Sequence, residues 1–279
     1  MKYYVVYNPY AGSGNGKQEA EAFGASAQGD AEYFDVTQII DYDAFFKNAE
    51  KDAEIVVCGG DGTVNRFLNE INGLEIEQKI SYYACGSGND FLRDVGEENS
   101  KLVSLDEYRK NLPTVTVKGK DYVFINGVGY GIDGYCCEVG DKARAASDKP
   151  VNYTAIAIKG LLFHYKPTNA TVCVDGKEYS FKKVWIAPTM KGRFYGGGMM
   201  PTPNQTRESG EVSLMVFHDT GKLKTLMIFP SIFKGEHVKK EKYVTVFTGK
   251  EITVKFDEPR PLQIDGETIL DVSEYTVKA

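Results

Sequence analysis

An apolar run, Ile55-Val56-Val57-Cys58, passes directly into Gly59-Gly60-Asp61-Gly62-Thr63 and then into a helical pattern. A buried strand that meets glycines and then a helix reads as a tight strand-to-helix turn, the alternative being an Asp-Gly type I′ turn between elements. Glycines there remove Cβ atoms, so backbone N–H groups approach a ligand closely and unusual φ values cost little. The same texture recurs twice in the first third of the chain. Tyr3 to Tyr7 reads as a strand before Asn8-Pro9 and a loop carrying Gly12, Gly14 and Gly16. Lys79 to Ala84 reads as a strand before Gly86-Ser87-Gly88-Asn89-Asp90. Ala31 to Val36 is a further strand, and Lys17–Phe23, Asp41–Glu50 (Asp41 as cap) and Thr63–Ile71 read as helices. Alternating strands and helices predict a parallel sheet, which binds ligands at the carboxyl ends of its strands.

Beyond residue 112 the pattern changes. Thr114–Val117, Tyr122–Asn126, Thr171–Val174, Lys183–Ala187, Val212–Phe217, Tyr243–Phe247 and Glu251–Phe256 are β-rich, with hairpin signals at Asp175-Gly176 and Asp265-Gly266. Helical interludes fall near 151–165 and 221–234. We expect two domains, 1–112 of α/β type and 113–279 mainly antiparallel. The net charge of -6, from 39 acidic and 33 basic residues, argues against a nucleic-acid partner. Five cysteines without a CxxC pair read as reduced thiols of a cytoplasmic protein. Asn8-Pro9 comes too early for a signal peptide, and no apolar run is long enough to span a bilayer.

The loops differ in what they can hold. Ala11 to Gly16-Lys17 approaches a P-loop, but Gln18 stands where a Ser or Thr would ligate magnesium. Asp61 would repel a bare phosphate and makes sense as a partner of a hydrated magnesium ion.

Gly59–Thr63 on such a turn resembles the diacylglycerol kinase, sphingosine kinase and NAD kinase superfamily. Asn8-Pro9 with Gly12, Gly86–Arg93, Phe124–Asp133, Tyr195–Met199 and Gln263–Glu267 resemble, in order, marks of its lipid-kinase branch. The resemblance implies a Rossmann-like, NAD-kinase-like first domain, a β-rich second domain and an active site in a cleft between them. Asp61, Asp90 and Glu267 are expected to converge on that cleft. It implies ATP as co-substrate, with Mg2+ held by Asp61 and Asp90 through water. Nucleotide contacts are expected from Asn8, Pro9, Gly12, Thr37, Gly59, Gly60, Asp61, Gly62, Thr63, Asn65, Ser87 and Asn89. Glu267 is implied as the general base, with Asp265 beside it and Asp61 as a third catalytic residue. A lipid alcohol needs such a base because its pKa lies far above 7. The implied reaction is phosphoryl transfer from ATP to diacylglycerol or a similar alcohol. Alternatives are NAD kinase and a nucleotide-binding regulator without catalysis.

Some positions depart from the family pattern. Arg66 follows Asn65 where many relatives carry Glu, Pro113-Thr114-Val115 has no carboxylate, and Arg207–Glu211 replaces an Asp-Asp-Gly run. No structural magnesium is carried over there. Gly221–Lys234 mixes lysines with large apolar residues. It reads first as a helix covering the second sheet, and alternatively as a surface that meets anionic lipid at the inner face of a membrane. Ala155–Phe163 reads as a core helix. Bacterial relatives imply a homodimer.

Overall fold

The structure, a computed structural model, describes residues 1–86, 88–97, 101–146 and 151–279. The chain divides into two compact units, Met1–Leu112 and Pro113–Ala279.

The first unit is built on five strands: β1 (Lys2–Tyr7), β2 (Asp30–Asp35), β3 (Glu54–Gly59), β4 (Lys79–Ala84) and β5 (Leu102–Ser104). Their order is β2-β1-β3-β4-β5; the first four are parallel, and β5 runs antiparallel on the edge. Every residue of β3 is buried, as expected for a central parallel strand covered on both faces. The helices are α1 (Ala11–Gly14), α2 (Gly16–Ser26), α3 (Tyr42–Asn48), α4 (Asp61–Glu70) and α5 (Asp90–Asp94). Asp41 caps α3 as expected, accepting the Ala44 N–H at 3.0 Å.

Three local expectations are corrected here. The α4 helix begins at Asp61 and not Thr63, with Gly60 as its N-cap residue, so Asp61, Gly62 and Thr63 form its first turn. The segment after Pro9 is a short helical turn and not an open glycine loop. Asp90 opens a helix that the glycine-rich run obscured.

The second unit is a ten-stranded antiparallel sheet. It contains β6 (Thr114–Val117), β7 (Lys120–Val123), β8 (Gly127–Tyr130), β9 (Thr168–Val174), β10 (Lys177–Val184), β11 (Thr189–Met190), β12 (Val212–Phe217), β13 (Val244–Gly249), β14 (Glu251–Ile264) and β15 (Glu267–Lys278). The main path runs β13-β12-β11-β8-β14-β15-β6-β7, and β9 joins β14 and carries β10. Asp175-Gly176 and Asp265-Gly266 both turn hairpins with positive φ at each residue, the signature of a type I′ turn. Lys118-Gly119 does the same between β6 and β7.

Strand β14 is more than twice the length expected from Glu251–Phe256. Its register shifts between Lys255 and Leu262, around Pro259 and Pro261. Proline cannot donate to a ladder, so the pair enforces a bulge. The bulge lets one half of β14 pair with β9 and the other with β8.

Helix α6 (Ile132–Ala146) was not foreseen, because its glycines and paired cysteines obscure the helical period. It lies against the bulge: a Cβ on Gly134 would sit 1.8 Å from the Pro261 carbonyl oxygen. Helix α7 (Tyr153–Lys159) continues into a π-helical turn at Gly160–His164. The expectation of a core helix at Ala155–Phe163 is corrected: Gly160 and Leu161 are buried, but Ile158 and Phe163 face solvent. Helix α8 (Lys222–Ile228) and a 3-10 segment, Phe229–Lys234, bury Thr225, Ile228 and Ile232. Among the described residues no helix is long and apolar enough to cross a membrane.

The close approach at Gly134 makes a test. Gly134→Ala pushes a methyl group into rigid backbone and is expected to cost more than about 2 kcal/mol, read as a lower urea midpoint. Gly210→Ala, where a Cβ meets nothing within 4 Å, is expected to change stability by less than about 0.5 kcal/mol.

Candidate functional site

In the first unit, the loops after all four parallel strands open on the same edge of the sheet, and chain connectivity decides which of them meet. β3 lies between β1 and β4, so the Gly59-Gly60 turn is flanked by the Asn8 loop and the Gly86 loop. The Asn8 N–H donates to the Cys58 carbonyl at 3.1 Å, and the Cys85 N–H to the Gly59 carbonyl at 2.8 Å. Asn8 Nδ2 donates to Thr63 Oγ1 at 2.9 Å, tying the first loop to the first turn of α4. Asn8 Oδ1 also accepts the Tyr10 N–H, which shapes the chain around Pro9.

The glycines are needed for contact between loops. A Cβ on Gly86 would lie 2.7 Å from the Gly60 Cα, and one on Gly59 would lie 2.5 Å from the Thr63 Cβ. Gly12 has φ +57° and faces the Cys85 carbonyl oxygen, so the Asn-Pro loop reaches the β4 edge as well.

Asp61 does more than the loop pattern predicts. Its Oδ2 accepts the Asp90 N–H at 3.1 Å, and its Oδ1 accepts the Phe91 N–H at 3.2 Å. It therefore caps α5 from the first turn of α4, accepting from amides that a helix start leaves without intrahelical acceptors. Asp90 itself is buried. A Cβ on Gly88 would lie 3.2 Å from Asp61 Oδ2 and 3.7 Å from Asp90 Oδ2, so both carboxylates flank that glycine. Asn89 has φ +49°, which asparagine tolerates better than most residues, and its buried Oδ1 has no partner among the described residues.

An orphaned acceptor, a Cβ-free cradle and a helix N-terminus fit a nucleotide with donor groups and phosphates. Two carboxylates fit a hard cation that keeps several waters. Among the described residues no three His, Cys, Asp or Glu side chains converge as a direct metal cage.

The remaining expected residues take varied positions. Thr37 follows β2 on the same edge; its N–H and Oγ1 both bond to Asp35 Oδ1, at 2.9 and 2.7 Å. Asn65 is buried on α4 and bonded by Asn69. Ser87 lies outside the described residues. Arg66 is exposed.

In the second unit Asp265 and Glu267 are separated by the turn that joins them. Asp265 is buried at φ +46°, and its carboxylate accepts the N–H groups of Ile125 at 2.7 Å, Asn126 at 3.1 Å and Gly127 at 2.8 Å. Its own N–H returns to the Gly127 carbonyl. Glu267 opens β15 opposite Ile264 and is exposed. Asp265 thus organises backbone while Glu267 remains accessible.

Several further polar groups lie buried or half-buried near this turn. Arg207 bonds Asn126 Oδ1 at 2.7 Å and the Ile125 carbonyl. Lys191 is buried, bonds the Ser209 carbonyl at 3.0 Å, and its pKa is lowered by burial and then by the nearby Arg207 charge. Asp133 is buried and accepts the Tyr195 hydroxyl; burial pushes its carboxyl up to about 7 despite that bond. Tyr195 is held by reciprocal backbone bonds to Met199 across Gly196-Gly197-Gly198, all at positive φ. The sequence signal for Asp133 and Tyr195 was their place in glycine-rich motifs; Arg207 gave none.

Residues 2–117 match the diacylglycerol kinase catalytic domain, and residues 126–276 match the YegS C-terminal NAD kinase beta sandwich-like domain. The chain belongs to this family of lipid kinases. Proteins of Staphylococcus aureus strains Mu3 and Newman, each named "Putative lipid kinase", are 28% identical over 235 residues, 81% of this chain and 74% of theirs. A crystal structure described as a "putative diacylglycerol kinase" from Bacillus anthracis shares the fold. Its TM-score is 0.69 at 20% identity, covering 100% of this chain and 91% of that one. A second structure under that description gives a TM-score of 0.67 at 19% identity, with 100% and 93% coverage.

The Asp133 pair makes a pH test. Because its folded pKa is raised, the native state holds a proton that the unfolded state has released between about pH 4 and 7. Stability contributed at this site is therefore present below about pH 4 and declines as pH rises towards 7. Asp133→Asn is expected to flatten that part of the stability profile, measured by urea denaturation across the range.

Proposed function

We propose that this chain is an ATP-dependent lipid kinase, transferring the γ-phosphoryl group to a hydroxyl of diacylglycerol or a similar lipid alcohol. The observation that carries the reading is the first-unit edge, where Gly60 and Gly86 meet without side chains, α4 starts at Asp61, and Asn89 offers an unpartnered acceptor. Backbone N–H groups there receive phosphate oxygens, and Asn8, Thr63 and Asn89 orient the nucleotide. Asp61 and Asp90 would hold a hydrated magnesium ion, which when bound would neutralise charge on the phosphoryl groups. Glu267 removes the proton of the acceptor hydroxyl as it attacks the γ-phosphorus; the bond to the ADP oxygen breaks, and ADP leaves. Asp265 acts as a positioning residue through the backbone of Ile125 to Gly127. The names of the Staphylococcus relatives support a lipid as acceptor.

The test is phosphorylation of diacylglycerol in mixed micelles with labelled ATP and magnesium. Glu267→Gln is expected to lower kcat by about 10²- to 10⁴-fold while nucleotide affinity and circular dichroism stay unchanged. Phosphorylation of NAD in place of lipid would assign the chain to the NAD kinase branch. ATP binding with no lipid product, and no effect of Glu267→Gln, would leave a nucleotide-binding regulator.

A further inference from the structure

Six of the thirteen large apolar side chains exposed among the described residues fall in two short segments of the second unit. Tyr153, Ile158 and Phe163 lie on α7 and its π-helical extension; Leu223, Met227 and Phe233 lie on α8 and the 3-10 segment that follows. The most exposed are Phe163 at 71%, Leu223 at 75% and Met227 at 72%. Lys222 Nζ donates to the Leu162 carbonyl at 2.8 Å, which sets the start of α8 against the π-helical turn. Leu223 and Met227 are one turn apart and share a face. Both segments are anchored from within: Leu161, Ile228 and Ile232 pack with Trp185 and Phe217. The outer apolar groups therefore stand on a fixed base.

The charge that these two segments themselves carry is one-sided, although Asp141 of α6 lies near Tyr153 and Glu236 follows the second segment. Residues 151–166 and 220–235 contain no Asp or Glu, yet they carry Lys159, Lys166, Lys222, Lys224 and Lys234, all exposed. This occurs in a chain whose net charge is -6. An ordinary solvated face would carry both signs and few large apolar groups. Fixed apolar side chains rimmed by lysines match the chemistry of an anionic bilayer surface, where rings and aliphatic groups enter the headgroup boundary and ammonium groups meet phosphates.

We propose that α7, the π-helical turn and α8 form a docking face for anionic lipid membranes. This inference does not rest on the kinase reading, because membrane binding is measured without nucleotide or turnover. The test is co-sedimentation with vesicles of phosphatidylcholine, with and without phosphatidylglycerol. Binding to the anionic vesicles is expected to exceed binding to neutral ones by about tenfold or more and to fall in high salt. Leu223→Ser with Met227→Ser, and separately Lys159→Glu with Lys234→Glu, are each expected to reduce binding about tenfold with unchanged circular dichroism. Lys177→Glu with Lys255→Glu, exposed lysines on β10 and β14, should bind as the unaltered chain does.

Equal binding to neutral and anionic vesicles, or full binding by both face variants, overturns the proposal. So does a dimer that dissociates in the Leu223→Ser, Met227→Ser variant without vesicle binding, which would make the face an interface between copies. Phosphorylation of a short-chain, water-soluble diacylglycerol without vesicles tests the kinase reading separately.

Discussion

The first unit depends on one carboxylate. Asp61 starts α4 at the end of β3, yet its oxygens are taken by the amides that start α5 at the end of β4. A carboxylate acceptor on two backbone donors contributes more than neutral hydrogen bonds do, and it acts at a helix start, where amides lack intrahelical acceptors. It binds two adjacent loops into one surface. That surface is possible only because Gly60 and Gly86 meet with no side chains between them. Asn8 extends the arrangement to β1 by bonding Thr63. Three loops that are distant in sequence thus share one set of contacts.

The second unit uses the same device with a different outcome. Asp265 also turns its carboxylate onto consecutive backbone amides, those of Ile125, Asn126 and Gly127. The hairpin turn that aims Asp265 inward leaves Glu267 outward, although the two residues are only one glycine apart. On a regular strand they would share a side; the positive φ values at 265 and 266 break that alternation. Arg207 secures the other side of the same segment through Ile125 and Asn126. The accessible acid is thus held by a buried one, which gives Glu267 a defined base without enclosing it.

Much of this was legible residue by residue. Strands β3, β4 and β12 follow from their apolar runs and β6 from its alternation, and the Asp-Gly turns follow from the need for positive φ. The motif order pointed to the family before any fold was known. What the sequence hid shares a physical cause: glycine-rich segments have no hydrophobic period to read. Helix α5 after Gly88, the early start of α4 and the long α6 all lie in such segments. The continuation of β14 through two prolines was hidden for the opposite reason, since proline argues against a strand unless a bulge accommodates it.

The sequence alone determined the class of both units, the turn types and the list of groups able to meet phosphate or take a proton. These follow from local rules: periodicity, the missing Cβ of glycine and the chemistry of carboxylates. Only tertiary structure decided which groups act together. Strand order put the Gly60 and Gly86 loops side by side, a hairpin turn parted Asp265 from Glu267, and folding enclosed Asp133 with Tyr195. It also turned Phe163, Leu223 and Met227 outward, because the inner positions were already filled by Leu161, Ile228 and Ile232. Contacts between residues far apart in the chain depend on topology and packing, and those arise only once the whole sheet is assembled.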